Sequence, residues 1–265
     1  MSDLSGRSAL VTGGARGLGR AIAKSLISRG AVVVIADVRD EEGEQTAKEL
    51  SADPKICSFM HLDVTDESGW VVVISSTVSA LGGFDILVNN AGLEETALVS
   101  EFDVAAIRRM VDVNLMGTLL GMKHAFLAMK PGGSAGSGGA VINIASVAAR
   151  LAVPAVSGYS ATKSAVDRMT RVAAVEAGKL GYGIRVNCVY PGLVLTEMGL
   201  KLATDLADLG LAPSVEAARE GFVKQTPQGR LASPSEIADT VCFLCSDEAR
   251  FINGVGVAVD GGMST

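Results

Sequence analysis

The chain has 265 residues, 48% of them hydrophobic and 20% charged, with a formal net charge of -6, enough apolar sequence for one sizeable core. That acidic balance argues against nucleic acid as a partner, since phosphate binding needs clustered Lys and Arg. The longest apolar runs, at 31–36 and 71–75, are too short to cross a bilayer, and the first ten residues lack the basic and apolar regions of a signal peptide; the expectation is a cytoplasmic protein with no membrane partner.

From the N-terminus, residues 8–12 read as a strand and 18–29 as a helix. Between them lies TGGARGLG, in which Gly13, Gly17 and Gly19 let the backbone turn tightly and let a pyrophosphate approach the start of the helix. Glycines set between a strand and a helix predict dinucleotide binding. A second strand at 31–36 runs into Asp37, 18 residues after Gly19, close to the roughly 20 expected of a carboxylate that bonds an adenosine ribose. Further along, 41–50, 67–81, 104–129, 159–180 and 234–245 carry helical spacing, whereas 56–62, 84–90, 140–146, 183–189 and 255–260 read as strands. Residues 130–140 form a Gly/Ser surface turn. The segment at about 193–225 is longer than a usual strand-to-helix connection; it is expected to be either a helical insertion or a cover over a site, and its place after a strand end favours the cover. Strands of continuous apolarity alternating with helices predict a single α/β domain over 1–265, a doubly wound parallel sheet of about seven strands with helices on both faces.

Residues four apart on a helix share a face, so a helix over 159–180 sets the Tyr159 phenol beside the Lys163 ammonium. A neighbouring cation favours the phenolate and is expected to pull the tyrosine pKa down, making Tyr159 a usable acid and base. The same helix is apolar on more than one face (Ala161, Ala165, Val166, Met169, Val172, Ala173), which points to subunit contacts as well as core. Cys57, Cys188, Cys242 and Cys245 do not form a disulfide framework in a chain of this length, and the Cys242/Cys245 pair sits in an apolar helical pattern. With His61 and His124 the only histidines, no metal site is expected.

Taken in order, the T-G-x-x-x-G-x-G run, NNAG at 89–92, Asn114 in DVNLMG, Ser146 thirteen residues before Tyr159, Tyr159-x-x-x-Lys163 and YPGLVLT at 190–196 resemble the short-chain dehydrogenase/reductase family over residues 6–262. The resemblance implies a Rossmann-like fold, an NAD-dependent oxidoreductase and a homotetramer. It implies four catalytic residues. Tyr159 gives or takes the proton on the substrate oxygen, Ser146 bonds that oxygen, Lys163 tunes Tyr159 and binds the nicotinamide ribose, and Asn114 holds a water linking Lys163 to solvent. It implies cofactor contacts from Gly13, Arg16, Gly17, Leu18 and Gly19 in the first turn, Asp37 at the ribose, Asp63 and Val64 at the adenine, and Asn90 and Gly92 beside the site. Pro191, Val194 and Thr196 complete the set at the carboxamide. Asn89 and Asn90 are also read as ties between strands.

Finer similarities, in DLSG, ADVRDEEGEQTAKEL, HLDVTDESGW and GMKHAFLAMK, are to bacterial hydroxysteroid dehydrogenases within the family. They imply a small hydrophobic, cyclic alcohol or ketone as substrate. Its expected walls are Leu93, Val147, Leu151, Val153, Val156, Met198 and Leu202, an apolar lining with almost no partner for a charged group. Two alternatives stand beside this reading. A carrier-protein reductase using NADPH would need a basic patch at the site entrance, where the covering segment instead carries Glu197, Asp205, Asp208, Glu216 and Glu220 against Lys201, Arg219 and Lys224. An inactive nucleotide-binding protein would normally lack one of the four catalytic residues, and all four are present.

Overall fold

Every residue of β1 (Ser8–Thr12) is buried, and because successive side chains leave a strand on opposite faces, Ala9 and Val11 enter one apolar cluster while Leu10 enters another. The division continues in β2 (Val32–Asp37), with Val33 and Ile35 in the first cluster and Val34 in the second. A strand covered on both faces is what makes the sequence read as unbroken apolar runs. With β3 (Cys57–His61), β4 (Ile86–Asn89), β5 (Gly139–Ile144), β6 (Ile184–Pro191) and β7 (Gly256–Val259) these strands form one seven-stranded sheet, parallel throughout, in the order β3-β2-β1-β4-β5-β6-β7. The computed structural model describes residues 2–136 and 138–265. Met1, in the stretch read for a targeting signal, and Ser137, in the Gly/Ser turn, lie outside the described residues.

The helices follow in chain order as α1 (Gly17–Ile27), α2 (Asp40–Leu50), α3 (Glu67–Leu81), α4 (Val104–Val111), α5 (Gly117–Met129), α6 (Ser157–Lys179), α7 (Glu197–Asp208), α8 (Val215–Gln225) and α9 (Pro234–Cys245). Ile22 and Leu26 of α1 pack with Ile237 and Val241 of α9 on the first cluster. Trp70 and Val73 of α3, Met122 and Ala125 of α5 and Ala173 and Ala177 of α6 cover the second. The direction of winding reverses between β1 and β4, and in such sheets the crevice outside the strand ends at that point is where ligands bind.

One feature differs from the sequence-based expectation. The stretch predicted as one helix over 104–129 is α4, a π turn over Asp112–Met116, and α5. A π turn is widened by one residue, and here it holds the tertiary bonds of Asn114, which periodicity does not show. The 193–225 segment is helical, holding α7 and α8, whose Leu202, Ala203, Leu206 and Phe222 belong to a separate apolar cluster. The four cysteines are free and buried, and burial raises the thiols of Cys242 and Cys245. Among the described residues, no helix is long and apolar enough to cross a membrane.

Candidate active site

The turn after β1 is shaped by its glycines. Gly13 and Gly17 have φ of 62° and 55°, a region side chains avoid, and a Cβ on Gly19 would stand 2.1 Å from the Gly13 carbonyl oxygen. Arg16, in the N-cap position of α1, supplies no side-chain cap, so the first-turn N–H groups can face an anion. Leu18 packs down onto the first core cluster. Asn90 Nδ2 donates to the carbonyls of Thr12 (3.0 Å) and Gly13 (3.1 Å), so this residue braces the turn. Asn89 ties β4 to β5 through Asn143 at 2.8 Å.

Asp37, ending β2, accepts from the N–H of Ala15 (3.1 Å) and of Arg39 (3.2 Å), which points its carboxylate at the turn. Arg16, in the glycine turn, pairs with Glu197 at the start of α7, and Arg39, two residues after Asp37, pairs with Glu42 at 3.2 Å. Asp63 closes a turn by accepting from the Thr65 N–H (2.9 Å) and hydroxyl (2.8 Å). Val64 is buried beneath it, its carbonyl accepting from Trp70 Nε1 at 2.9 Å. Across the crevice Pro191 ends β6, and Val194 is buried beside Ala232. Thr196 Oγ1 caps α7 by accepting from the Gly199 N–H at 3.2 Å, which leaves its own hydrogen to donate.

The four expected catalytic residues come together from three segments of the chain. Ser146 follows β5 and accepts from the Ala148 N–H at 3.1 Å, and it lies close enough to Tyr159, in the first turn of α6, to favour the phenolate. Lys163 is buried one turn further on. Its Nζ donates to the Ile144 carbonyl at 2.7 Å and lies 5.6 Å from the Tyr159 ring centroid. Asn114 accepts from the Leu93 N–H (2.7 Å) and donates to the Leu93 carbonyl (2.9 Å) and to Thr162 Oγ1 (3.1 Å). Its amide hydrogens are therefore both engaged, and the side chain works here as a tie between the 92–93 segment and α6. Gly92 fits the gap between them, since a Cβ there would stand 3.3 Å from Asn114 Oδ1 and 3.5 Å from Lys163 Nζ.

The charge state of this group corrects one expectation. The Tyr159 phenol is raised rather than lowered, first because its enclosed oxygen loses water and then because the Glu94 carboxylate opposes a phenolate, with Ser146 acting the other way. Burial pushes Lys163 down to about 8, against the pull of Glu94. The four-residue spacing brings the ammonium over the ring and against Ile144 instead of onto the phenol oxygen, so it does little for the phenolate in this arrangement.

Of the expected walls, Val153, Val156 and Leu202 pack with Tyr159 in the cluster under α7 and α8, and Val147 is buried next to Ser146. Leu93 is fixed by its backbone to Asn114, but its side chain and that of Met198 are 39% and 41% exposed, and Leu151 lies half-buried outside the cluster. A wholly apolar lining is corrected by Glu94. Its Oε1 is buried with no hydrogen-bond partner among the described residues. Its pKa is raised to about 7, mostly by burial and then by Asp205, with Lys201 and Lys163 opposing. Sequence reasoning passed over Glu94 because a glutamate in "LEET" carries no periodicity; its place two residues after the NNAG motif was the one available signal.

A family model described as enoyl-(acyl carrier protein) reductase matches residues 13–264. A trans-4-hydroxycyclohexanecarboxylate dehydrogenase of Sinomonas cyclohexanicum is 38% identical over 96% of this chain and 91% of its own length. A 3-alpha-(or 20-beta)-hydroxysteroid dehydrogenase of Mycobacterium tuberculosis is 37% identical over 98% and 90%, and a 2,5-dichloro-2,5-cyclohexadiene-1,4-diol dehydrogenase of Sphingobium indicum 38% identical over 100% and 99%. Among solved structures, that of a candidate gluconate dehydrogenase from Agrobacterium tumefaciens superposes with a TM-score of 0.87 at 32% identity, covering 99% of this chain and 98% of the other.

Proposed function

The chain belongs to the short-chain dehydrogenase/reductase family, and from that premise we propose that it interconverts a neutral, cyclic secondary alcohol and its ketone with NAD, cyclohexanol-like and steroid alcohols being the leading types. The observation that carries the reading is the meeting of Ser146, Tyr159 and Lys163 beside the glycine turn. Tyr159 moves the proton to or from the substrate oxygen, and Ser146 donates to that oxygen and holds it at the phenol. Lys163 supplies a positive charge beneath the ring and a ribose partner, while Asn114 keeps the 92–93 segment against α6.

The uncapped α1 terminus and the cramped glycines fit a pyrophosphate, and Asp37 is placed for a ribose hydroxyl. Arg16, Asn90, Gly92, Asp63, Val64, Pro191, Val194 and Thr196 would complete the cradle. A nicotinamide held there supplies or accepts the hydride. The NADPH-dependent carrier-protein reading is disfavoured by the pairing of Lys201 with Asp205, of Lys224 with Glu220 and of Arg16 with Glu197, which neutralises the entrance. Exposed Leu119 and Leu127 of α5 and Val172 and Val175 of α6 support assembly through these helices, as a homotetramer, to be checked by the mass in solution.

The deciding experiment is a comparison of catalytic efficiency on cyclohexanol, a hydroxysteroid and an acetoacetyl thioester, with each nicotinamide cofactor, followed by cofactor absorbance. Preference for the thioester moves the assignment to carrier-protein substrates. Absence of turnover on every alcohol and ketone overturns it.

A further inference from the structure

Glu94 lies where the chain leaves β4 and runs past the catalytic group. The segment is anchored at both ends: Leu93 exchanges two hydrogen bonds with Asn114 (2.7 and 2.9 Å), and the Ala97 N–H donates at 2.8 Å to the carbonyl of Ala155. Ala155 itself has φ of 63°, a strained value for a non-glycine residue, and stands just before α6. Leu98 continues into the cluster that contains Val153, Tyr159 and Leu202. The segment thus runs beside the cluster that holds Tyr159, between groups of α6 and α7.

Two polar atoms of that segment are buried and lack partners among the described residues, Glu94 Oε1 and Thr96 Oγ1. Buried polar groups are almost always hydrogen-bonded, and an unmatched one costs stability. Glu94 is bracketed by charges: it acts on Tyr159 and Lys163 of α6 and is acted on by Lys201 and Asp205 of α7. Lys201 and Asp205 pair with each other at 2.5 Å, so neither neutralises Glu94 by contact. A carboxyl group without a protein partner, next to the apolar cluster of Val153, Val156 and Leu202, is suited to a donor on the substrate.

We propose that Glu94, with Thr96, is a specificity-determining subsite that receives a second hydroxyl group of the substrate, so that the preferred substrates are cyclic diols or hydroxyketones rather than plain cyclic alcohols. The inference rests on the dehydrogenase reading and deepens it. A hydroxyl both donates and accepts, and so meets the carboxyl of Glu94 and the hydroxyl of Thr96 together. A substrate carboxylate would face Glu94 as a like charge and is selected against.

The test compares 1,4-cyclohexanediol, cyclohexanol and 4-hydroxycyclohexanecarboxylate on the wild type, Glu94→Leu and Glu94→Gln. The quantity read is the ratio of catalytic efficiencies for diol over cyclohexanol, because any effect of Glu94 on Tyr159 or Lys163 is common to both substrates and cancels. The wild type should prefer the diol by about tenfold or more, as expected when a built hydrogen-bonding site is left unmatched. Glu94→Leu should bring the ratio to about one, and Glu94→Gln, which still hydrogen-bonds, should keep most of it. Calorimetric binding of the same compounds to the NADH-loaded protein gives a second readout without turnover. If no alcohol is turned over but the binding preference for the diol vanishes in Glu94→Leu, the dehydrogenase reading falls and the subsite stands. A diol ratio unchanged by Glu94→Leu, or a wild-type preference for cyclohexanol or the carboxylate, overturns the subsite.

Discussion

Replacing Asp37 by Asn removes a charge from the cofactor crevice while keeping its shape. The remaining amide oxygen can still accept from Ala15, a bond of 3.1 Å that steadies the glycine turn, while the 3.2 Å bond from the Arg39 N–H is given up, so the substitution changes the charge at the expense of one local hydrogen bond. In the wild type a 2′-phosphate would approach the Asp37 carboxylate, and the two guanidinium groups that could offset it, those of Arg16 and Arg39, are engaged by Glu197 and Glu42. Two unit charges at about 5 Å repel by about 2 to 3 kcal/mol at an effective dielectric of about 20 to 40, roughly 20- to 200-fold in affinity. Asp37 is only half-buried, and screening by salt reduces the effect toward the lower end. The wild type should therefore favour NAD over NADP by at least about tenfold in catalytic efficiency, and Asp37→Asn should bring the two within about threefold, chiefly by improving NADP. Efficiencies measured with both cofactors, together with NADPH binding by fluorescence, make the comparison independent of the alcohol chosen. The reasoning fails if the wild type uses NADP as well as NAD, or if Asp37→Asn leaves the ratio where it was.

Three further outcomes follow from the geometry. Tyr159→Phe keeps the ring in its cluster but removes the proton donor, so turnover should fall by roughly 100- to 10,000-fold while cofactor binding persists; retention of more than about a tenth of turnover refutes the role. Gly19→Ala puts a methyl 2.1 Å from the Gly13 carbonyl and 2.6 Å from Asn90 Nδ2, and since backbone cannot swing aside, a loss of about 1 to 3 kcal/mol in stability and weakened cofactor binding are expected; unchanged melting and cofactor affinity would count against the cradle. Glu94, raised from 4.5 to about 7 among Tyr159, Lys163, Lys201 and Asp205, binds more protons folded than unfolded across that range, so it makes stability decline as pH rises from about 4.5 to about 7. Lys163, lowered to about 8 from 10.5, acts in the opposite sense and only above about pH 8. Melting temperature followed from about pH 5 to 7 should therefore slope less in Glu94→Gln than in the wild type; identical slopes would exclude Glu94 as the source.

The sequence by itself determined the parallel sheet, because a strand covered on both faces has no polar side to break its apolar run, as Ala9, Leu10 and Val11 show. It also placed the glycine turn, Asp37 and the Ser146, Tyr159 and Lys163 set, whose chemistry depends on residue type and short spacing. Tertiary structure alone decided what surrounds them. The π turn that buries Asn114 forms around bonds to Leu93 and Thr162, 21 and 48 residues away, which no local pattern encodes. The direction of the Tyr159 shift was misjudged for the same reason: spacing told of Lys163, but the enclosure of the phenol and the Glu94 carboxylate arrive from other segments. Burial and long-range charge are properties of packing, so the sequence supplied the candidate groups and the fold set their proton affinities.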